Sequence, residues 1–149
     1  MVTEAPALFM RALLLAVLLL AAPGAARAVD GAAGTAVPAL AHAHTLLAQQ
    51  RYREAVELLE ALLDAVPSVA DVHLLLGTAY GRLAEREPWY RAIGYARRCG
   101  TALARAVELD PRHRDALAAL ALFYEQAPAF LGGGADKAVA VRQRLTALD

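Results

Sequence analysis

The chain has 149 residues, 15 basic and 15 acidic side chains, and a single cysteine. That length allows one domain, and the even charge balance offers no whole-chain electrostatic case for nucleic acid or anionic lipid. A lone cysteine excludes an internal disulfide.

From Ala12 to Ala22 runs an unbroken apolar stretch, preceded by Arg11 and followed by Pro23 and Gly24; Ala26-Arg27-Ala28 then places small residues at −3 and −1 of a cleavage point. This predicts a secretory signal over 1–28, cut between Ala28 and Val29. The apolar run is shorter than the roughly 20 residues that cross a hydrocarbon core. A buried apolar helix and an uncleaved anchor are the competing readings. Glu4 fits a positive leader poorly, so Met10 is the more natural start than Met1. No cysteine follows for lipid attachment. Cleavage removes Arg11, Arg27 and Glu4, leaving 13 basic against 14 acidic residues. The expected location is periplasmic or secreted, with no stable membrane span after cleavage.

Residues 29–37 are rich in Ala and Gly without periodicity and are expected to form a flexible leader. Six helices are predicted over 38–149. The first covers about Pro38–Gln49, with proline at a first turn. The second, Tyr52–Val66, sets Ala55, Leu58, Leu59, Leu62 and Val66 on one face, opposite Glu54, Glu57 and Glu60. Pro67 stops it, and Ser68 is the expected N-cap of the third, Val69–Glu87. There Val72, Leu75, Leu76, Ala79, Tyr80 and Leu83 make a buried stripe.

The fourth, Pro88–Leu109, carries a seam of Trp89, Ile93, Ala96, Leu103 and Val107, widened by Cys99, Ala102 and Ala106. Cys99 is expected to be a small buried hydrophobe. The fifth covers Arg114–Gln126 with Leu117, Leu120, Ala121 and Tyr124 inward. The loop Ala127–Gly134 leads to the sixth, Ala135–Leu148, and Phe130 and Leu131 are expected to tuck beneath it. No segment alternates like a strand, so the fold class is all-α.

Helix, break, helix, stop occurs three times, with Pro67, Pro111 and the terminus as the stops. These residues resemble the tetratricopeptide repeat, a 34-residue helix-turn-helix unit. Repeats fall at about 36–69, 70–113 and 114–149. Tyr52, Ala55 and Pro67 carry the likeness in the first. Leu76-Gly77-Thr-Ala-Tyr80, Cys99, Leu103, Ala106 and Pro111 carry it in the second, and Leu120-Ala121-Leu-Phe-Tyr124, Ala138 and Leu145 in the third. The resemblance implies a short α-solenoid of three hairpins. Gly77 is expected to let the paired helix approach closely, with Tyr80 filling space one turn away.

Pro67 to Pro111 spans ten residues more than one repeat, which lengthens the second hairpin. Repeat three has Arg142 where the family packs a large apolar side chain, so its hairpin should be held less tightly. The elongated Glu85–Tyr90 turn and Ala127–Ala138, an AP-x-F-x-GG-x-x-x-KA stretch, are similar to a subgroup of exported bacterial tetratricopeptide proteins of undefined activity.

Several patterns suggest sites, and each has a plainer reading. Gly132–Gly134 with Lys137 invites a phosphate site, but no strand precedes it and the Gly-Lys-Ser/Thr ending is missing, which favours a tight turn. His42 and His44 point about 200° apart on a helix and cannot chelate together; His73 and His113 lack neighbouring ligands. No metal, cofactor or catalytic constellation is predicted. Arg91, Arg98 and Arg105 recur every seven residues beside Arg97. They form either a solvated face with local pairs such as Glu87–Arg91, or a docking stripe for an acidic partner. Trp89 and Tyr90 are either packing anchors or a ligand platform.

In the family the first helix of each repeat lines a concave groove. Carried over, the groove positions are His44, Leu47, Asp71, Leu74, Thr78, Arg82, Asp115, Leu122 and Glu125. The implied function is a non-catalytic, exported adaptor binding a protein or peptide in the cell envelope. Self-association through the terminal repeat fits an uncapped stack. The alternative is a small-molecule binder with a pocket between the groove and Trp89.

Overall fold

The computed structural model describes the backbone from residue 28 and side chains from residue 34 to the end. The expected signal segment lies outside the described residues apart from Ala28. Six helices follow: α1 Ala28–Ala48, α2 Tyr52–Ala65, α3 Ala70–Arg86, α4 Trp89–Leu109, α5 Arg114–Gln126 and α6 Ala135–Thr146. A 3₁₀ turn, Ala129–Leu131, interrupts the last connection. Among the described residues there is no strand, and no helix is long and apolar enough to cross a membrane.

The helices pack in chain order: α2 on α3, α3 on α4, α4 on α5, and α5 on α6. Asp71 at the start of α3 meets His113 at the start of α5, so these two helices run side by side in the same direction. Consecutive hairpins therefore stack instead of closing on themselves, the arrangement of a helical solenoid.

The apolar periodicity decides which face each helix buries. In α3, Val72, Leu75, Leu76, Ala79, Tyr80 and Leu83 are all buried, and they are the whole stripe that the spacing predicts. Ala55, Leu59 and Val66 are buried in α2 and just outside it, while Glu54, Glu57 and Glu60 face solvent. Cys99, Ala102, Leu103, Ala106 and Val107 form the buried seam of α4. Burial pushes the Cys99 thiol up to about 11, so it stays protonated near neutrality.

Two helix crossings depend on glycine. A Cβ on Gly77 would stand 2.8 Å from both Cγ and Cδ2 of Leu103, so α3 and α4 approach across it, as expected. A Cβ on Gly100 would meet the Phe123 ring at 2.5 Å. That second crossing, of α4 with α5, has the same cause, and a mid-helix glycine was its only sequence signal.

The stops follow from proline. Val66 and Asp110, each preceding a proline, leave the helical region at φ −135° and −134°. Proline's ring disfavours the helical region for the residue before it. Asp110 Oδ1 then accepts the Arg112 N–H at 3.0 Å, tightening the second stop.

Four expectations need correction. α1 begins at Ala28, so residues 29–37 are helical where a leader was expected, and Pro38 lies inside the helix. Alanine at 32, 33, 36 and 39 supplies enough helix propensity to carry the chain through one lost backbone bond. Ser68 is not the N-cap of α3; Val69 takes that place without a side-chain bond. Trp89 stands 77% exposed at the first position of α4, outside the seam. Phe130 is 68% exposed and does not tuck under its loop, because the 3₁₀ turn points its ring away while Gly133 fills the tight corner against Ala127.

Candidate interaction surface

The turn from α1 to α2 shapes the first wall of the surface. Gln50 takes φ +61°, and the Gln50 N–H donates to Leu47 O at 3.0 Å while the Arg51 N–H donates to Leu46 O at 2.9 Å. This is a Schellman ending with glutamine in the left-handed position that glycine usually fills. Its side chain has a use there: Gln50 Oε1 accepts from Arg86 Nη2 at 2.5 Å. The Arg86 guanidinium also lies 4.8 Å above the Tyr52 ring. The α1–α2 turn is thereby tied to the end of α3.

Between them opens a recess of about 510 Å³, lined by Leu47, Ala48, Gln50, Tyr52, Thr78, Arg82, Glu85 and Arg86. Three of the predicted groove residues, Leu47, Thr78 and Arg82, meet here. Leu47 packs partly against the core. Thr78 Oγ1 donates to Leu74 O at 2.9 Å, which satisfies its hydroxyl within α3. Arg82 is exposed and pairs with Glu85 at 3.0 Å, which holds its guanidinium above the usual range. Two guanidiniums one helical turn apart, with one carboxylate between, make the recess polar and net basic.

The other predicted positions are elsewhere. His44 is exposed on α1 but does not line the recess. Leu74 is half-buried against the core. The Asp71 carboxylate accepts the His113 Nε2–H at 2.7 Å, while His113 Nδ1 accepts the Ala116 N–H at 3.3 Å and caps α5. Only a neutral ring protonated at Nε2 makes both bonds. Asp115 lies exposed in the first turn of α5, and Leu122 is half exposed. Glu125 turns toward α6, where Arg142 grips it with two bonds, the Nη2 one at 2.9 Å. The Arg142 guanidinium holds the Glu125 carboxyl below its ordinary value. That pair replaces the apolar contact expected at Arg142, and α6 buries only Ala138 and Val141.

The basic stripe divides into local contacts. Arg91 pairs with Glu87 at 3.6 Å and Arg105 with Glu108 at 3.0 Å. Arg98 lies 5.7 Å over the ring of Tyr80. Tyr80 is buried, its hydroxyl donates to Glu60, and burial more than that carboxylate pushes it up to about 12. This network sits between α2, α3 and α4, away from the recess.

The glycine-rich loop is closed. Gly132 takes φ +96° as the cap of the 3₁₀ turn, and the Gly134 N–H donates to Tyr124 O at 2.9 Å. Lys137 Nζ donates to Gly132 O at 2.9 Å and stands 5.5 Å from the Tyr124 ring. The lysine of the phosphate reading is occupied within its own turn. Trp89 does not line the recess.

No protein-family model matches the chain, and no curated protein matches it. Among solved structures it is similar to a thermophilic TPR protein of Thermus thermophilus, at 28% identity and a TM-score of 0.60. The match covers 72% of this chain and 53% of the other, so the chain spans about half the length of that neighbour. The likeness and the stacked all-helical hairpins agree with the repeat pattern in the sequence: residues 32–149 are a short solenoid of tetratricopeptide-like repeats.

Proposed function

We propose that the protein is an exported, non-catalytic adaptor that holds a peptide or protein partner of the cell envelope along the faces of α1, α3 and α5. The observation that carries this reading is the recess where Leu47, Thr78 and Arg82 converge from the first helices of two successive repeats. A partner lying there meets Leu47, Thr78 and two guanidiniums. Arg11, the apolar stretch 12–22 and the Ala26-Arg27-Ala28 cleavage point support export, and the tetratricopeptide-like fold supports a binding role over a catalytic one.

Arg82→Glu tests the recess. The substitution replaces a cation with an anion beside Glu85 on an exposed face, so the fold should persist. Affinity capture from the envelope fraction, with the two chains as parallel baits, should lose its specific partner with the variant. Equal capture by both would remove the recess from the binding surface.

Self-association through the outer face of α6 belongs to the same proposal. Val139 stands exposed there beside Arg142, Gln143 and Thr146, around a shallow hollow of about 470 Å³. Sedimentation equilibrium should show a mass that rises with concentration and falls back to monomer with Val139→Glu.

A further inference from the structure

Six large apolar side chains are prominently exposed among the described residues, and three are aromatic rings: two at the start of α4 and one in the 3₁₀ turn. Trp89 is 77% exposed, Tyr90 61% and Phe130 68%. Trp89 and Tyr90 stack edge to face at 6.0 Å. Because α3 and α5 run in the same direction, the α3–α4 and α5–α6 turns emerge at the same edge of the stack. The 3₁₀ turn that carries Phe130 packs directly on α4, the helix that Trp89 begins.

Helix length brings this edge forward. α3 has 17 residues against 13 in α5, so from a common start it reaches about 6 Å further at helical rise. Trp89 and Tyr90 therefore crown a projection, with Phe130 set back on its flank, where its turn packs on α4. A point of that kind cannot supply the roughly 800 Å² per side of a stable protein interface. A bilayer surface needs no such area, and Trp and Tyr are the side chains that settle at its headgroup level.

The charges at the tip favour the same occupant. Glu87, whose side chain is 10% exposed, is drawn inward between Arg53 and Arg91, both of which keep most of their surface in solvent. Glu85 is held by Arg82. With two guanidiniums to the one carboxylate of Glu87, the edge keeps a net positive charge beside the rings, although the chain as a whole is neutral.

We propose that the Trp89–Tyr90–Phe130 edge inserts into the headgroup region of an anionic phospholipid membrane, with Arg53 and Arg91 against the lipid phosphates. The assignment is independent of what the recess binds. It gives the solenoid a fixed orientation, turns toward the membrane and helix axes upright.

Trp89 is the sole tryptophan, so its emission reports this edge alone. The full chain, titrated with phosphatidylglycerol-containing vesicles, should show a blue-shifted Trp89 band that acyl-chain bromine quenches. The double variant Tyr90→Ser, Phe130→Ser should keep its helical circular dichroism and partition roughly tenfold more weakly or worse, since it loses the burial of two rings. An unshifted band would overturn the proposal. So would co-sedimentation with Trp89 still in water, which would assign binding to the apolar stretch 12–22. Undiminished partitioning of the double variant, or equal partitioning onto phosphatidylcholine alone, would overturn it as well. A shift that requires a protein partner and no vesicle would give the edge to that protein instead.

Discussion

Replacing Gly77 with leucine should lower the melting temperature by about 10–15 °C, the equivalent of roughly 3 kcal/mol in a domain of this size. The reason is geometric. A Cβ there already stands 2.8 Å from two carbons of Leu103 and 3.3 Å from its backbone nitrogen. Leu103 is itself buried and has no free volume to retreat into. A leucine adds three further carbons at the same point, so α3 and α4 must separate, and the most extensive helix contact in the fold is lost. Gly94 supplies the control. It lies inside α4 with nothing within 4 Å of its Cβ position, so Gly94→Ala should raise stability by about 0.5–1 kcal/mol through helix propensity alone. Thermal melts of the two variants read both effects. An unchanged melt for Gly77→Leu would refute the close crossing.

Gly133→Ala should release the last hairpin while the rest of the stack stays folded. The added Cβ would overlap the carbonyl oxygen of Ala127, a backbone atom that no rotamer change can move aside. Relieving the overlap opens the loop and breaks the neighbouring bonds from the Gly133 N–H to Pro128 O and from the Gly134 N–H to Tyr124 O. α6 depends on that loop because it buries so little of its own surface. The expected cost is about 2–4 kcal/mol. It should be confined to α6, as amide exchange there quickens by two orders of magnitude or more while α3 and α4 keep their protection. Uniform loss of protection across all helices would show that the terminal hairpin is not a separable unit.

These two glycines differ in how visible they are beforehand. Gly77 sits in the Leu-Gly-Thr-Ala-Tyr segment whose repeat pattern already implies a close helix pair, and Tyr80 is buried one turn on as expected. Gly133 is one of three consecutive glycines in a loop, and nothing in their order tells which one faces a carbonyl and which one needs φ > 0. The folded loop assigns the second role to Gly132 and the first to Gly133.

The candidate surface was legible to a similar degree. Leu47, Thr78 and Arg82 were placed by the resemblance to the repeat family, whose first helices line a groove, and the recess joins them. Asp71 and Glu125 do not line the recess, for reasons that the repeat pattern does not carry. Each found an oppositely disposed partner far along the chain, His113 and Arg142, and a charged side chain turns toward such a partner when one is in reach. Gln50, Tyr52 and Arg86 were missed because their convergence depends on a left-handed residue in a turn. Trp89 and Phe130 were misjudged in the other direction: large rings are buried more often than not, but these stand where α4 begins and in the 3₁₀ turn, and both are mostly exposed.

The order of helices, their inward faces and the proline stops were determined by sequence alone, because periodicity and backbone sterics act over a few residues at a time. Tertiary structure decided which glycine meets which side chain, which acids are consumed by distant bases, and which aromatic rings remain in water. Those outcomes depend on the distance between stacked hairpins, and that distance is set only when the buried faces close on one another.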